Sequence, residues 1–355
     1  MKIRDIKIRK ENLELTRPYS IAYKSVDSVD NCIVEIFGDN GMSGLGAANP
    51  SKYVVGEDVD DTVNLLKNHD FGWLIGRDIR EMNQLCYELY QHLQHKAGAC
   101  AAIDIALHDL FTHYLDVPLV KYLGQKHISM PTSITIGIKD VEETLEEAKE
   151  YVGRGFKYLK VKLGRSLEED LARLRKLKEH FRKDIQIRVD ANQGYTKMQL
   201  EDFYYNTLSL DLELIEQPLP ADAVDDYKKL PTVVKKMVAL DETLKNPHDA
   251  MKLASRPSAG GIFNIKLMKC GGISCAREIA YIAASADIDL MWGCNDESII
   301  SITAALHAAF ASPNTKYLDL DGSFDLARDV VKEGFVLKDG MMSLTHRSGL
   351  GVVKL

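Results

Sequence analysis

KYLKVKLG (157–164), IRVDANQG (187–194), LIEQPLP (214–220), VALDET (238–243) and FNIKLMKCGG (263–272) succeed one another through the middle of the chain. Each is a short apolar run closed by a charged residue: Lys160 and Lys162, then Asp190, Glu216, Asp241 and Lys266. Runs of this length without strict alternation fit strands buried on both faces. From Lys162 onward the closing residues are separated by 28, 26, 25 and 25 residues, about one strand plus one helix each. A regular βα repeat of that period predicts a (β/α) barrel, whose strand C-termini all open onto one face. Three carboxylates flanked by lysines are thereby delivered to one mouth.

The same rhythm extends outward in both directions. SMPTSITIG (129–137) begins it and YLDLDGSFD (317–325) ends it, giving eight strands between 133 and 321 with seven helices between them. SLEEDLARLRKLKEHF (166–181) reads as a helix with Ser166 as its cap. Before the barrel, residues 2–9 and CIVEIFG (32–38) alternate as antiparallel strands do. LTRPYSIAYKSVDSVD (15–30), with Pro18, and GLGAANPSKYVVGED (44–58), with Pro50, read as loops, either lids or connectors. From Asp58 to Leu123 the pattern is helical, with Ile103, Leu107, Leu110 and Tyr114 on one stripe. His108 and His113 on that segment fit packing or surface positions better than metal ligation. The expected organisation is an α+β capping domain at 1–125, a (β/α)7β barrel at 126–321, and a tail at 322–355 whose hairpin returns to the first domain.

Composition narrows the function classes. The 355 residues carry 45 Lys and Arg against 52 Asp and Glu, a net charge of −7 without a basic stripe, which argues against nucleic acid. No apolar stretch approaches membrane-spanning length. The start MKIRDIKIRK is too charged to read as a signal peptide. Cys32, Cys86, Cys100, Cys270, Cys275 and Cys294 form no CxxC or metal-finger spacing, so reduced thiols in the cytoplasm are expected. A homo-oligomer is the expected assembly.

Asp190, Glu216 and Asp241 at neighbouring strand ends would repel one another unless a divalent cation sat between them. An oxygen-only ligand set favours a hard ion such as Mg2+. Taken singly, each acid could equally be a salt-bridge partner; three in register in an apolar setting point to metal. Lysines on both sides suggest acid–base work, since neighbouring positive charge disfavours the ammonium. Lys162 on the second strand stands across the barrel from Lys266 on the sixth. Two bases on opposite faces of one carbon can remove a proton on one side and return it on the other, a 1,1-proton transfer at a carbon made acidic by a metal-held carboxylate. The alternative makes one lysine a simple anion clamp.

KVK, VDAN, EQP, LDET and NIKLMKCGG together resemble the muconate-lactonizing branch of the enolase superfamily, a superfamily that uses a Lys or His base with Mg2+. The resemblance covers the whole chain. It implies that Asp190, Glu216 and Asp241 bind Mg2+, that Lys162 and Lys266 are the acid/base pair, that Lys160 helps polarise a carboxylate, and that Asn192 lies near the substrate. Asp319 and Asp321 form a DxD on one face of the eighth strand. The pair is similar to that of the dipeptide epimerases, where it receives the α-ammonium of a dipeptide. N-acylamino-acid racemases and o-succinylbenzoate synthases of the same branch act on substrates without that ammonium and would have little use for the pair. A metal-binding barrel without turnover would need neither Lys162 nor Lys266.

Two positions depart from the Ala–Glu epimerases. Lys24 stands where those enzymes carry Arg, and Asp296 in MWGCNDES stands where an apolar residue is usual. Asp296 or Glu297, beside the DxD, is expected to face the pocket and to favour a basic side chain in the dipeptide; Lys24 pulls towards an acidic one, as in an L-Ala-D/L-Glu epimerase. Thr135 and Cys294 complete the expected substrate-facing set.

Overall fold

The computed structural model describes residues 1–21, 24–164 and 166–355, and the side chains of residues 18–26, Lys24 among them, lie outside the described part. Strands β1 (Ile3–Ile21) and β2 (Lys24–Gly38) form a long antiparallel ribbon, Ile3 opposite Gly38 and Ile21 opposite Lys24. The loop expected at 15–30 is therefore largely strand. Its proline falls in a break of the ladder between Glu14 and Tyr19, the kind of place where a residue without an N–H is tolerated in a sheet. There the Thr16 N–H turns to Asp325 O at 2.7 Å.

The second expected loop is also ordered structure: β3 (Ser43–Ala48) pairs with β2, and Lys52–Val55 forms one helical turn. The glycines that suggested a loop serve close packing instead. A Cβ on Gly46 would meet Ala102 O at 1.9 Å, so β3 lies directly on the helix Ala97–Tyr114. That helix is buried almost all round, from Gly98 to Leu110, rather than along one stripe.

The barrel is an eight-stranded parallel sheet: β5 (Ile134–Ile136), β6 (Tyr158–Lys162), β7 (Gln186–Asp190), β8 (Leu212–Glu216), β9 (Val238–Leu240), β10 (Ile262–Ile265), β11 (Asp289–Gly293) and β12 (Thr315–Asp319). It runs in sequence order and is brought round by Ser133 N–H to Leu318 O at 3.0 Å and a bridge between Thr132 and Leu318. Lys162 lies opposite Asp190, and Asp190 opposite Glu216, so three functional side chains end adjacent strands at one level. Asp241 and Lys266 follow β9 and β10 directly.

A short strand before the barrel, β4 (Ser129–Pro131), pairs with tail strand β15 (Met341–Leu344), itself in a hairpin with β14 (Phe335–Lys338). The remaining tail strands, β13 (Val331–Glu333) and β16 (Val352–Lys354), pair antiparallel. The tail returns to the first helical layer, where Leu350 N–H donates to buried Asp109 at 2.7 Å. Among the described residues no helix is long and apolar enough to cross a membrane.

Candidate active site

Lys160 sits at the centre of the strand ends. Its Nζ lies 2.7 Å from Glu216, 2.8 Å from Asp319 and 3.3 Å from Asp190, and it is buried. Lys162 Nζ donates to Asp190 Oδ2 at 2.6 Å and keeps 30% of its side chain exposed; Lys266 Nζ donates to Asp241 Oδ2 at 2.7 Å with 14% exposed. Lysines on β6 and just past β10 stand four strands apart in a barrel of eight, on opposite sides of the mouth.

Glu216 is the least compensated acid. Burial, then repulsion from Asp190, pushes its carboxyl up to about 8 against the pull of Lys160. Its Oε1 accepts from Asn264 Nδ2 at 2.9 Å. Its Oε2 is close to Lys160 yet accepts no well-directed hydrogen bond among the described residues. The short separation makes an ion pair, while its direction leaves hydrogen-bonding capacity of Oε2 unfulfilled. Burial would also raise Asp190, but Lys162 and Lys160 outweigh it and bring that carboxyl down to about 2. For Asp241 the same contest, burial against Lys266 and Lys269, ends well below the usual range. A buried oxygen-only set with one acid held up by its neighbours is what a divalent cation would relieve, so these residues fit Mg2+. The carboxylate oxygens are not all within 4.8 Å of one another, the ammonium groups standing among them.

The one trio of metal-type ligand atoms that does meet that separation among the described residues is Cys86, Asp104 and His108. Asp104 is committed elsewhere, accepting from Ile273 N–H at 2.6 Å and Ser274 Oγ at 2.6 Å to cap the barrel helix Ile273–Ser285. His108 bonds the Asp104 carbonyl at 2.8 Å. This cluster is structural.

Carboxylates dominate the charge around Lys160 and Lys266. Burial lowers Lys160 and Lys266, but Asp319, Glu216 and Asp190 around the first, and Asp241 and Glu216 around the second, raise both above the ordinary value. With only protein groups counted, the carboxylates outweigh the neighbouring ammonium groups.

The eighth-strand pair divides in two. Asp319 is fixed at both oxygens, by Lys160 Nζ at 2.8 Å and by Ser133 Oγ at 2.6 Å. Asp321 accepts Thr135 N–H at 2.7 Å through Oδ2, while its Oδ1 has Cys294 Sγ at 3.9 Å; burial and Asp319 push its carboxyl up to about 7. Cys294 also lies 3.3 Å from Asp319 O. Glu297 is buried, raised to about 7 by burial, and accepts Asn295 N–H at 2.8 Å. Asp296 is half-buried, and its carbonyl accepts Asn49 Nδ2 at 2.7 Å, while Asn295 Nδ2 returns a bond to Asn49 O at 2.8 Å. Asn192 is exposed and touches the site through its N–H on Asp190 at 2.9 Å.

Three residues of the site were not singled out from sequence. Lys269 Nζ holds Asp241 at its carbonyl and carboxylate and lies 3.0 Å from Asn264 O. Gln217 Oε1 accepts Asp241 N–H at 2.8 Å, fixing the loop that carries that acid. Asn264 orients Glu216. Gln217 and Asn264 stand inside the quoted EQP and FNIK phrases, and Lys269 lies three residues after Lys266. A cavity of about 10 Å3 lies over this side, bounded by Asp241, Lys266, Asn295 and Val54–Val55. A larger cleft, about 840 Å3, lies beside it between Tyr87, Tyr90, Lys96, Lys245 and His248 and holds none of the three strand-end acids. Asp241 and Lys266 line the smaller one.

A parallel barrel that gathers three acids and two facing lysines beneath a separate α+β layer defines a metal-assisted enzyme of the enolase type. Residues 3–124 match the mandelate racemase / muconate lactonizing enzyme N-terminal domain, and residues 143–353 match the enolase C-terminal domain-like family. The chain belongs to the muconate-lactonizing branch of the enolase superfamily. It is 53% identical to an L-Lys-D/L-Arg epimerase of Methylococcus capsulatus over 99% of both chains, and 33% identical to a hydrophobic dipeptide epimerase of Enterococcus faecalis, again over 99% of each. The crystal structure of a dipeptide epimerase from Methylococcus capsulatus complexed with Mg and L-Arg-D-Lys matches with a TM-score of 0.97 at 53% identity, covering 99% of this chain and 100% of that one.

Proposed function

We propose that the protein is a Mg2+-dependent dipeptide epimerase that inverts the α-carbon of the C-terminal residue and prefers dipeptides with basic side chains. The observation that carries this is the opposition of Lys162 and Lys266 across a mouth whose eighth strand ends at Asp319, with Asp321 two residues beyond. One lysine, as free amine, takes the α-proton; the other, as ammonium, gives a proton to the opposite face, and the configuration inverts. Asp190, Glu216 and Asp241 would hold Mg2+, which when bound offsets the negative charge that develops on the substrate carboxylate as the α-proton leaves. Lys160, buried at the centre, adds a fixed positive charge at that end.

The substrate's α-ammonium is received by the Asp319/Asp321 pair. Both Asp319 oxygens are already engaged, so Asp321 supplies the freer one, walled by Thr135 and Cys294. The preference for basic side chains rests on Asp296 and Glu297 beside this pair and on the similarity to a relative named for Lys and Arg. Residues 1–125 serve as the cap and 126–321 as the catalytic barrel in this reading, with Asn49 and Asn295 joining them at the rim. Six free cysteines suit a reducing cytoplasm. The test follows α-deuterium incorporation into free and N-acetylated dipeptides in D2O with Mg2+. Exchange confined to free dipeptides is expected, and equal exchange of the N-acetylated ones would move the assignment to an acylamino-acid racemase.

A further inference from the structure

Below the site, inside the barrel, lies a buried arginine that the chemistry above does not use. Arg188 stands on β7 two residues before Asp190, hence on the same side of the strand. Its guanidinium lies 5.1 Å from the Tyr158 ring and 5.3 Å from the Tyr317 ring. Nε donates to Glu213 at 2.6 Å, while Nη1 donates to Leu318 O and to Ser133 Oγ at 3.2 Å.

These contacts determine which way the Ser133 hydroxyl points. A guanidinium can only donate, so Arg188 occupies an acceptor position on Ser133 Oγ. The hydroxyl hydrogen must go elsewhere. Leu318 O, at 3.3 Å, already accepts from Arg188, whereas Asp319 Oδ1 is 2.6 Å away. The chain of donors thus runs Arg188 to Ser133 to Asp319, and Lys160 meets the other Asp319 oxygen from above. All four residues are buried, and they come from β6, β7, β12 and the segment leading into β5.

We propose that Arg188 and Ser133 are positioning residues which, by fixing the orientation of Asp319 from beneath, shape the Asp319/Asp321 pair for the α-ammonium of the dipeptide. The inference rests on the dipeptide reading and adds to it the device that selects the ammonium. Were Asp319 free to rotate, the negative charge it sets beside Asp321 would no longer be held in one place relative to the substrate's ammonium.

The experiment compares wild type, Ser133→Ala, Ser133→Thr and Arg188→Lys in the Mg2+-loaded full chain. It measures kcat and KM for a free dipeptide and Ki for its N-acetyl derivative. Ser133→Ala leaves the large buried side chains in place, so it serves even where Arg188→Lys does not fold. Loss of one bond to a charged group is expected to raise KM for the free dipeptide roughly tenfold. Over the same change kcat stays within about threefold, Ki for the N-acetyl derivative is unchanged, and Ser133→Thr recovers most of the loss. An unchanged KM in Ser133→Ala, or equal losses for free and N-acetylated ligands, overturns the assignment while leaving the epimerase reading intact. A wild type that accepts both ligands alike removes the epimerase reading and this assignment together.

Discussion

Lys266, the first residue after β10, donates its ammonium to Asp241, the first residue after β9, at 2.7 Å, while Lys162 makes the corresponding bond to Asp190 at 2.6 Å across the mouth. Each proposed base is thus paired with a proposed metal ligand, and the two pairs face each other. If this symmetry serves inversion, each lysine handles one epimer. In D2O, Lys266→Ala should lose epimerisation yet still label the epimer whose α-proton faces Lys162, and Lys162→Ala should do the converse. Full epimerisation in either variant would mean that one base suffices.

Glu216 gives a prediction about metal that needs no turnover. In the wild type, Mg2+ at about a hundred times its Kd should add about 2.7 kcal/mol of stability, read as a rise in Tm. Glu216→Gln removes the acid that its neighbours repel, so the metal-free variant should fold at least as well while losing the Mg2+-induced rise. Chelation should abolish wild-type activity. A variant that keeps the full Mg2+ shift would place the ion elsewhere.

His307 predicts how stability follows pH. Its Nδ1 accepts Val120 N–H at 2.8 Å and its Nε2 donates to Leu350 O at 3.2 Å, joining a barrel helix, the first helical layer and the tail. An accepting Nδ1 requires the neutral ring, and burial lowers its pKa from 6.5 to about 4. The unfolded chain then binds more protons between these values, so stability is full above about pH 6.5 and falls as pH drops towards 4. The contribution lost between pH 7 and pH 5 is about 2 kcal/mol. Urea unfolding at both pH values should show a shallower drop in His307→Gln; an equal drop would remove His307 as its source.

Asp104 joins the first helical layer to the barrel. It accepts from Ile273 N–H and Ser274 Oγ at the start of a barrel helix, and Tyr90 OH from the same layer bonds Gly271 O at 3.0 Å. Lys266 lies on the short segment leading into these contacts. Asp104→Ala should therefore cost roughly 2 kcal/mol or more, since it loses a cap and leaves buried donors unpaired. Zn2+ added to the wild type should leave Tm unchanged; a Zn2+-dependent rise in Tm would make Cys86, Asp104 and His108 a metal site after all.

What could be read from the sequence follows the physics of each element. The barrel was legible because buried parallel strands are short apolar runs, and a charged residue closing such a run stands out. The site acids and Lys162 and Lys266 were legible for the same reason. The ribbon of β1 and β2 was not, because Pro18 and its polar neighbours carry the composition of a loop, and only the partner strand with Asp325 shows where their backbone bonds go. β3 was missed because its glycines are needed for contact with a helix some sixty residues on. Ser133 and Arg188 act on an aspartate more than 130 residues away, a pairing no local pattern records.

Asp296 bears on specificity. Asp296→Asn should lower kcat/KM for dipeptides carrying Arg or Lys by roughly tenfold, the worth of one charge-assisted hydrogen bond, and leave neutral dipeptides nearly unchanged. Equal losses across basic, neutral and acidic dipeptides would show that Asp296 does not choose the side chain.

Epimerisation of basic dipeptides can be followed with a panel of free dipeptides carrying basic, hydrophobic and acidic side chains. Each is incubated with the wild-type enzyme and Mg2+ in D2O, and α-deuterium at the C-terminal residue is followed by mass spectrometry. Exchange with inversion is expected, with kcat/KM for Lys- and Arg-containing dipeptides at least about tenfold above that for Ala–Glu. Absence of exchange with every dipeptide, or a preference for Ala–Glu, would contradict it.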